Sequence, residues 1–255
     1  MKPCFLSTSV LIGATLAAPS GYGFPVDNII DRRPYTYWQG ADTATQRITV
    51  DCGVPVSADT LAISGHNLSG STLTVEKSTD GAAWTVINTI GPSDNLSIAI
   101  PFGSIIDGVR VNPTEISRYW ALKIEGADEI PFIGVMMIGR RFSLPRFPTG
   151  SFIPESETAE IENLDSKNGL PLGSSLRYKP VKIAFSLGYP GESWTRQTFK
   201  PFYDANMGLP MFFCWDLDRW PESVVFGKLG EKYAPSFDPM GRVDKLAIAF
   251  NGTRS

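Results

Sequence analysis

Apolar residues recur at every second position through much of residues 1–142, and that period is incompatible with a helical core there. Arg47-Ile-Thr-Val-Asp-Cys52, Thr60-Leu-Ala-Ile-Ser64 and Ser71-Thr-Leu-Thr-Val-Glu-Lys-Ser78 each alternate in this way. They read as strands with one face buried and one solvated. Asp80-Gly81 supplies the positive φ angles of a turn, Trp84-Thr-Val-Ile87 resumes the sheet, and further strands are expected at 96–101, 108–111, 119–125 and 132–138. The 24 glycines and 20 prolines are spread along the chain, which favours many short strands over long helices.

Charge removes one class of function. Residues 1–142 hold ten Lys/Arg against thirteen Asp/Glu, and residues 143–255 hold thirteen of each, so neither half is basic. The adjacent cationic pairs are Arg32-Arg33 and Arg140-Arg141, too few to neutralise a phosphate backbone, and no specific nucleic-acid binding is expected. Cys4, Cys52 and Cys214 lie far apart with a single histidine in the chain, which fits buried free thiols in a reducing cytoplasm. Lys2 and the mostly apolar run 5–18 have the outline of a signal peptide, but Ser7, Thr8 and Ser9 interrupt it, and a strand with its lead-in is expected there. No run approaches the ~20 apolar residues of a membrane helix, so no membrane insertion is expected.

The stretch Asn28-Ile-Ile-Asp-Arg-Arg-Pro-Tyr-Thr-Tyr-Trp38 carries more than a turn needs. Asn28 and Asp31 are turn-fixing acceptors and Pro34 sets one backbone angle, while Tyr35, Tyr37 and Trp38 add aromatic surface. Six pieces run in an order that resembles the discoidin-like, or coagulation-factor type C, galactose-binding jelly rolls. They are Asn28-Ile-Ile-Asp31 with Thr36-Tyr-Trp38, Ile48-Thr-Val-Asp-Cys-Gly53, Leu61-Ala-Ile-Ser-Gly-His-Asn67, Val75 to Trp84, Arg118-Tyr-Trp-Ala-Leu-Lys-Ile124 and Ile133-Gly-Val-Met-Met-Ile-Gly139. The resemblance implies an antiparallel jelly roll over about residues 20–140, with Trp38 packed inward and recognition at the loop rim. Arg32, Tyr35 and Tyr37, with His66 and Asn67 from another loop, are the candidate glycan or partner contacts. It also implies a calcium position near Asp31 and Thr36, although Val135, Met136 and Met137 stand where a further carboxylate is looked for.

From Arg140 the composition turns to Pro, Gly and acidic residues, with Glu155, Glu157, Glu160, Glu162 and Asp165 close together. Residues 143–178 are expected to be a linker and extended arm, since partial alternation through Thr158-Ala-Glu-Ile-Glu162 fits a hairpin. Residues 179–255 then follow the order strand, helix, strand, strand, strand. The helix is expected over 191–206, with Ser193 as N-cap, Gly208 as terminator and a kink or break at Pro201. That order, with Phe212-Phe-Cys-Trp-Asp216 after an aromatic-bearing helix, resembles the tail-tube-like domain of phage distal-tail and baseplate proteins.

Catalysis finds little to work with. A Ser-His-Asp arrangement would have to use His66, no Gly-x-Ser-x-Gly elbow surrounds a serine, and Asp216 with Asp218 reads as a turn braced by Arg219. The expectation is a mainly β, non-enzymatic chain: a jelly-roll sandwich over 1–142, the arm over 143–178, and a β-sandwich with one helix over 179–255. The two resemblances together imply a structural component of a phage tail tip or baseplate, made in the host cytoplasm and resident in the virion. Its partners would be copies of itself in a ring, neighbouring tail-tube, hub or tape-measure proteins, and host-surface carbohydrate. Carboxylates such as Asp216 and Asp218 lining such a ring would repel DNA. The alternative is a carbohydrate-binding module of a secreted or surface protein, and the signal-like N-terminus adds a third reading, a secreted enzyme-associated domain.

Overall fold

The computed structural model describes residues 2–106, 109–111, 114–149, 159–165, 167–168, 170–217 and 219–254. It is mainly β with antiparallel pairing, as the alternation requires. Two compact units divide the chain: Met1–Leu144 with Pro210–Phe226 and Arg254–Ser255, and Pro145–Leu209 with Gly227–Thr253. The stretch 210–226, placed by element order with the C-terminal part, therefore belongs to the first unit.

The first unit is built on two facing sheets. One runs in the order Thr15–Ala17, Gln46–Ala58, Glu115–Glu125, Thr72–Ser78, Thr85–Ile90; the other runs Trp38–Gln39, Phe132–Gly139, Thr60–His66, Ile98–Pro101. Ile48, Val50, Leu73, Val75, Trp120 and Leu122 of the first meet Leu61, Ile63, Ile98, Ile100, Met136 and Ile138 of the second, all buried. Arg47, Thr49 and Asp51 alternate with the buried positions and remain partly solvated, so this sheet keeps one wet face.

The second sheet has no wet face along its centre. Phe132–Gly139 is an unbroken apolar run because the side of the sheet away from the sandwich core is also covered. There Ala62, Ala99, Val135 and Met137 pack against Cys4, Leu6, Phe212, Cys214, Leu217, Val224 and Phe226. The covering strands pair antiparallel in the order Phe142–Ser143, Cys4–Leu6, Met211–Cys214, with Cys4 opposite Cys214. The N-terminal apolar run is thus partly a strand, as expected, and Phe5 and Leu6 are fully buried. Arg141, half of an expected cationic pair, is also inside: its Nε lies 3.1 Å from Asp59 Oδ1, and both side chains are mostly buried.

In the second unit Val181–Gly188 pairs along its length with Val243–Thr253, burying Val181, Ile183, Phe185 and Leu187 on one face. The helical segment differs from the expected single α-helix. Trp194–Phe199 forms wide turns of π type and Lys200–Asn206 is α, with Pro201 in the first α turn. A proline ring clashes with the carbonyl four residues back in a regular helix, and widening the preceding turns removes that clash. Ser193 does not cap; it is itself helical, and its Oγ donates to Gln197 Oε1 at 2.9 Å. Gly208, at φ +79°, follows the helix in the left-handed conformation that suits a terminator. The expected arm is a hairpin of Glu160–Asp165 and Pro171–Tyr178, paired only with itself among the described residues. Residues 151–158, with Glu155 and Glu157, lie outside the described residues. Among those described, no helix is long and apolar enough to cross a membrane.

Gly134 fixes the loop on the outer side of the second sheet, because a Cβ there would sit 2.7 Å from the Pro34 carbonyl oxygen. Gly134→Ala is expected to destabilise the protein by about 1–3 kcal/mol, the usual range for overpacking. A urea midpoint that does not move would show that the loop is not seated there.

Candidate functional site

The loop after the short 3-10 turn Val26–Ile30 is held by its own polar side chains. Val26 and Ile29 anchor the turn in the core, and Asn28 Nδ2 donates to the Tyr37 carbonyl at 2.9 Å, closing the loop across nine residues. Asp31 Oδ1 accepts from the Arg33 amide at 2.8 Å, and Oδ2 accepts from Thr36 Oγ1 at 2.6 Å. Trp38 is fully buried and donates from Nε1 to Pro19 O at 3.1 Å and Ser20 Oγ at 3.0 Å, so the inward packing expected of it holds.

The five candidate contact residues fall into different settings. Arg32 adopts the left-handed conformation, with φ +61°. Its guanidinium donates to Ser7 O at 2.9 Å and to Pro210 O at 3.0 Å, and burial lowers its pKa below the ordinary guanidinium value. It ties three separate segments of the first unit together. Tyr35 is 75% exposed on the same loop.

Tyr37 and Asn67 do come together, through Phe132, the first residue of the strand Phe132–Gly139. Tyr37 stacks on Phe24 with ring centroids 4.8 Å apart and packs against Phe132 at 5.3 Å. Asn67 Oδ1 accepts from the Phe132 amide at 2.8 Å, and Nδ2 donates to Ile130 O at 3.0 Å. The result is a partly exposed strip of three rings with a side-chain amide beside it. Phe24 carried a local signal in Gly21-Tyr-Gly-Phe-Pro25, where an aromatic side chain stands among turn residues. Phe132 carried none.

His66 is buried next to Asn67. Its Nδ1 accepts from the Leu68 amide at 3.2 Å, which assigns the proton to Nε2, and Nε2 then donates to Leu96 O at 2.7 Å. Both ring nitrogens are engaged by backbone. Burial lowers the pKa, outweighing the upward pull of the Leu96 carbonyl and of Asp94.

Asp31 and Thr36, where a calcium position was expected, face one another within the loop. Calcium needs six to eight oxygen ligands. Here the two candidates bond to one another, and no group of three or more His, Cys, Asp or Glu side chains among the described residues is arranged to hold a metal. Charges on the wet face of the first sheet are likewise taken up in pairs. Asp51 receives Arg118 Nε and Nη2 at 2.7 and 2.8 Å, and this hydrogen bond, with one from the Gly53 amide, holds its pKa at about 2. Arg47 lies over the Trp84 ring at 5.2 Å and reaches Glu76 at 2.8 Å. Asp216, a candidate lumen carboxylate, is buried in the first unit, and Asp218 lies outside the described residues.

No family model and no curated protein matches the chain. Solved structures do. Chitosan-binding module 1 of a chitosanase/glucanase from Paenibacillus sp. IK-5 is 17% identical, with 51% of this chain and 98% of that one covered and a TM-score of 0.42. The Clostridium perfringens module CpGH89CBM32-5, in complex with GalNAc-β-1,3-galactose, is 13% identical over 52% and 99% of the two chains, with a TM-score of 0.42. A putative α-L-fucosidase from Bacteroides thetaiotaomicron is 19% identical over 54% of this chain and 29% of its own, with a TM-score of 0.44. These likenesses extend over about half of the chain; the strand pairing described above stands independently of them.

His66 gives the site a pH dependence of definite sign. With its folded pKa below the unfolded value of about 6.5, the unfolded chain takes up a proton first as pH falls, so stability present above pH 6.5 declines below it. His66→Gln is expected to flatten the decline in urea midpoint between pH 7.5 and 5.5, a window above the range in which Asp51 and Asp80, each held at about 2, titrate. An equally steep decline in the variant would assign it to other groups.

Proposed function

We propose that the chain is a non-enzymatic carbohydrate-binding protein, with the glycan taken at the aromatic strip of the first unit. The observation that supports this most is the grouping of Phe24, Tyr37 and Phe132 with the Asn67 amide. A pyranose ring presents an apolar C–H face and a rim of hydroxyls, and it fits a surface that offers ring faces next to an amide. The strip rests on the closed loop and the strand Phe132–Gly139, so its rings are placed before any ligand arrives. Arg32 acts by holding the loop, while exposed Tyr35 is a second aromatic contact available to a longer glycan. The single histidine, with both nitrogens bonded to backbone, is poorly disposed to act as a general base.

The second reading is a structural part of a phage tail tip or baseplate that carries this module. It rests on the resemblance read from the element order of residues 179–255, of which 179–209 and 227–253 fall in the second unit, and one observation favours it. The hairpin arm exposes Ile161, Leu164, Leu170 and Leu172, a composition suited to contact with another subunit. The two readings are compatible, since an assembled particle would present several copies of the glycan site.

A glycan array followed by calorimetry on the full chain tests the first reading. Phe24→Ala and Tyr37→Ala are each expected to weaken saccharide binding at least tenfold, about 1.4 kcal/mol, with Tyr37→Phe close to the parent. Absence of any bound saccharide at millimolar concentration, with and without calcium, would sink it.

A further inference from the structure

Cys4 and Cys214 are more than two hundred residues apart in sequence, yet they stand directly opposite one another in the sheet that covers the outer side of Phe132–Gly139. Opposed residues of an antiparallel pair have Cα atoms about 4.5–5.5 Å apart and carry their side chains on the same face. That spacing lies within the ~4.4–6.8 Å that a disulfide spans. Both side chains pack in one cluster with Leu6, Phe212, Val135 and Met137, and the Cys214 thiol donates a hydrogen bond to the Cys4 sulfur. All three cysteines carry free thiols, and Cys52 belongs to another sheet, where its Sγ donates to the Val10 carbonyl at 3.8 Å.

Once the cover is in place the pair is sealed. Cys4 and Cys214 are 1% and 0% exposed, and the hydrogen bond to Cys4, with burial, pushes the Cys214 thiol well above its ordinary pKa. A thiol in that setting supplies almost no thiolate to attack a reagent. The two sulfurs are therefore open to chemistry only before the strand Met211–Cys214 docks, or when it comes away from Cys4–Leu6.

We infer that Cys4 and Cys214 are a disulfide site, closed when the chain folds in an oxidising compartment, and that the bond staples together the two strands covering the central sheet. The chemistry is thiol–disulfide exchange with a low-molecular-weight disulfide such as oxidised glutathione. One protein thiolate attacks a sulfur of that disulfide, breaking its S–S bond and releasing one glutathione. The second protein thiolate then attacks the cysteine sulfur of the mixed disulfide and releases the other. Two protein thiols are oxidised, one glutathione disulfide is reduced to two thiols, and those thiols take up the two protons. The bond closes a loop of more than two hundred residues, and a longer loop removes more freedom from the unfolded chain. In a reducing compartment the same pair stays open, and the cover is held by packing alone. The staple requires neither glycan binding nor assembly.

The full chain is to be unfolded in urea and refolded in parallel with excess oxidised glutathione and with dithiothreitol. After alkylation in denaturant, non-reducing peptide mapping is expected to show the Cys4 and Cys214 peptides joined in the first sample and separately alkylated in the second, with Cys52 alkylated in both. The oxidised chain is expected to melt at least ~5 °C above the reduced one. Cys52→Ala is expected to keep both the bond and the shift, while Cys214→Ala or Cys4→Ala melts at the same temperature in either buffer. Incubation of the native chain with oxidised glutathione in sub-denaturing urea reads the same bond without complete refolding. Oxidised samples in which Cys4 and Cys214 remain alkylated, or are joined to Cys52 or to glutathione, would overturn the site. A Cys4–Cys214 bond that forms without raising the melting temperature would overturn the staple.

Discussion

Burial of the strand Phe132–Gly139 on both faces is the constraint on which the first unit depends. Met136 and Ile138 complete the sandwich core, while Val135 and Met137 require a second cover on the opposite side. Cys4, Leu6, Phe212 and Cys214 supply that cover from segments more than two hundred residues apart in sequence. Removing either segment would leave a sheet face of Val and Met in water, at roughly 1.5–3 kcal/mol for each fully exposed large side chain.

The loop that supports the binding strip is positioned by the same arrangement. Pro34 rests over Gly134 and Gly65 on the covered side of that sheet, and Arg32 bonds to carbonyls in both covering segments. Three rings then line up where the chain enters the sheet: Tyr37 beside the buried Trp38, Phe132 at the first residue of the central strand, and Phe24 from the preceding loop. Placement of the site is thus a consequence of the packing behind it, and Arg32, expected as a contact residue beside the candidate tyrosines, serves that packing.

Much of this was legible because it is local. Alternation through Ile48 and Val50, the continuous apolar run after Phe132, and the loop ending in Trp38 each identify a strand or an anchor within a few residues. What escaped is set by partners distant in the chain. The strand Met211–Cys214 has the same apolar pattern whether it joins one sheet or another, so its pairing with Cys4–Leu6 leaves no trace in its own sequence. Phe132 became part of the site only through the pairing of Trp38–Gln39 with the central strand, a register that short runs do not encode. The π-type turns before Pro201 follow from a proline that the sequence does show, although the sequence alone does not say which of several adjustments relieves its clash.

Division of the first unit between Met1–Leu144 and Pro210–Phe226 bears on how the chain is made. A ribosome delivers the sandwich strands and then the whole of residues 145–209 before Phe212 and Cys214 emerge to pair with Cys4–Leu6. At ~5–20 residues per second, the outer side of the central sheet waits several seconds for its cover. Non-local closure of this kind is slow, and the open interval favours association with other sticky surfaces. Chain order therefore leaves the earliest-formed sandwich without its cover until the whole of residues 145–209 has been made.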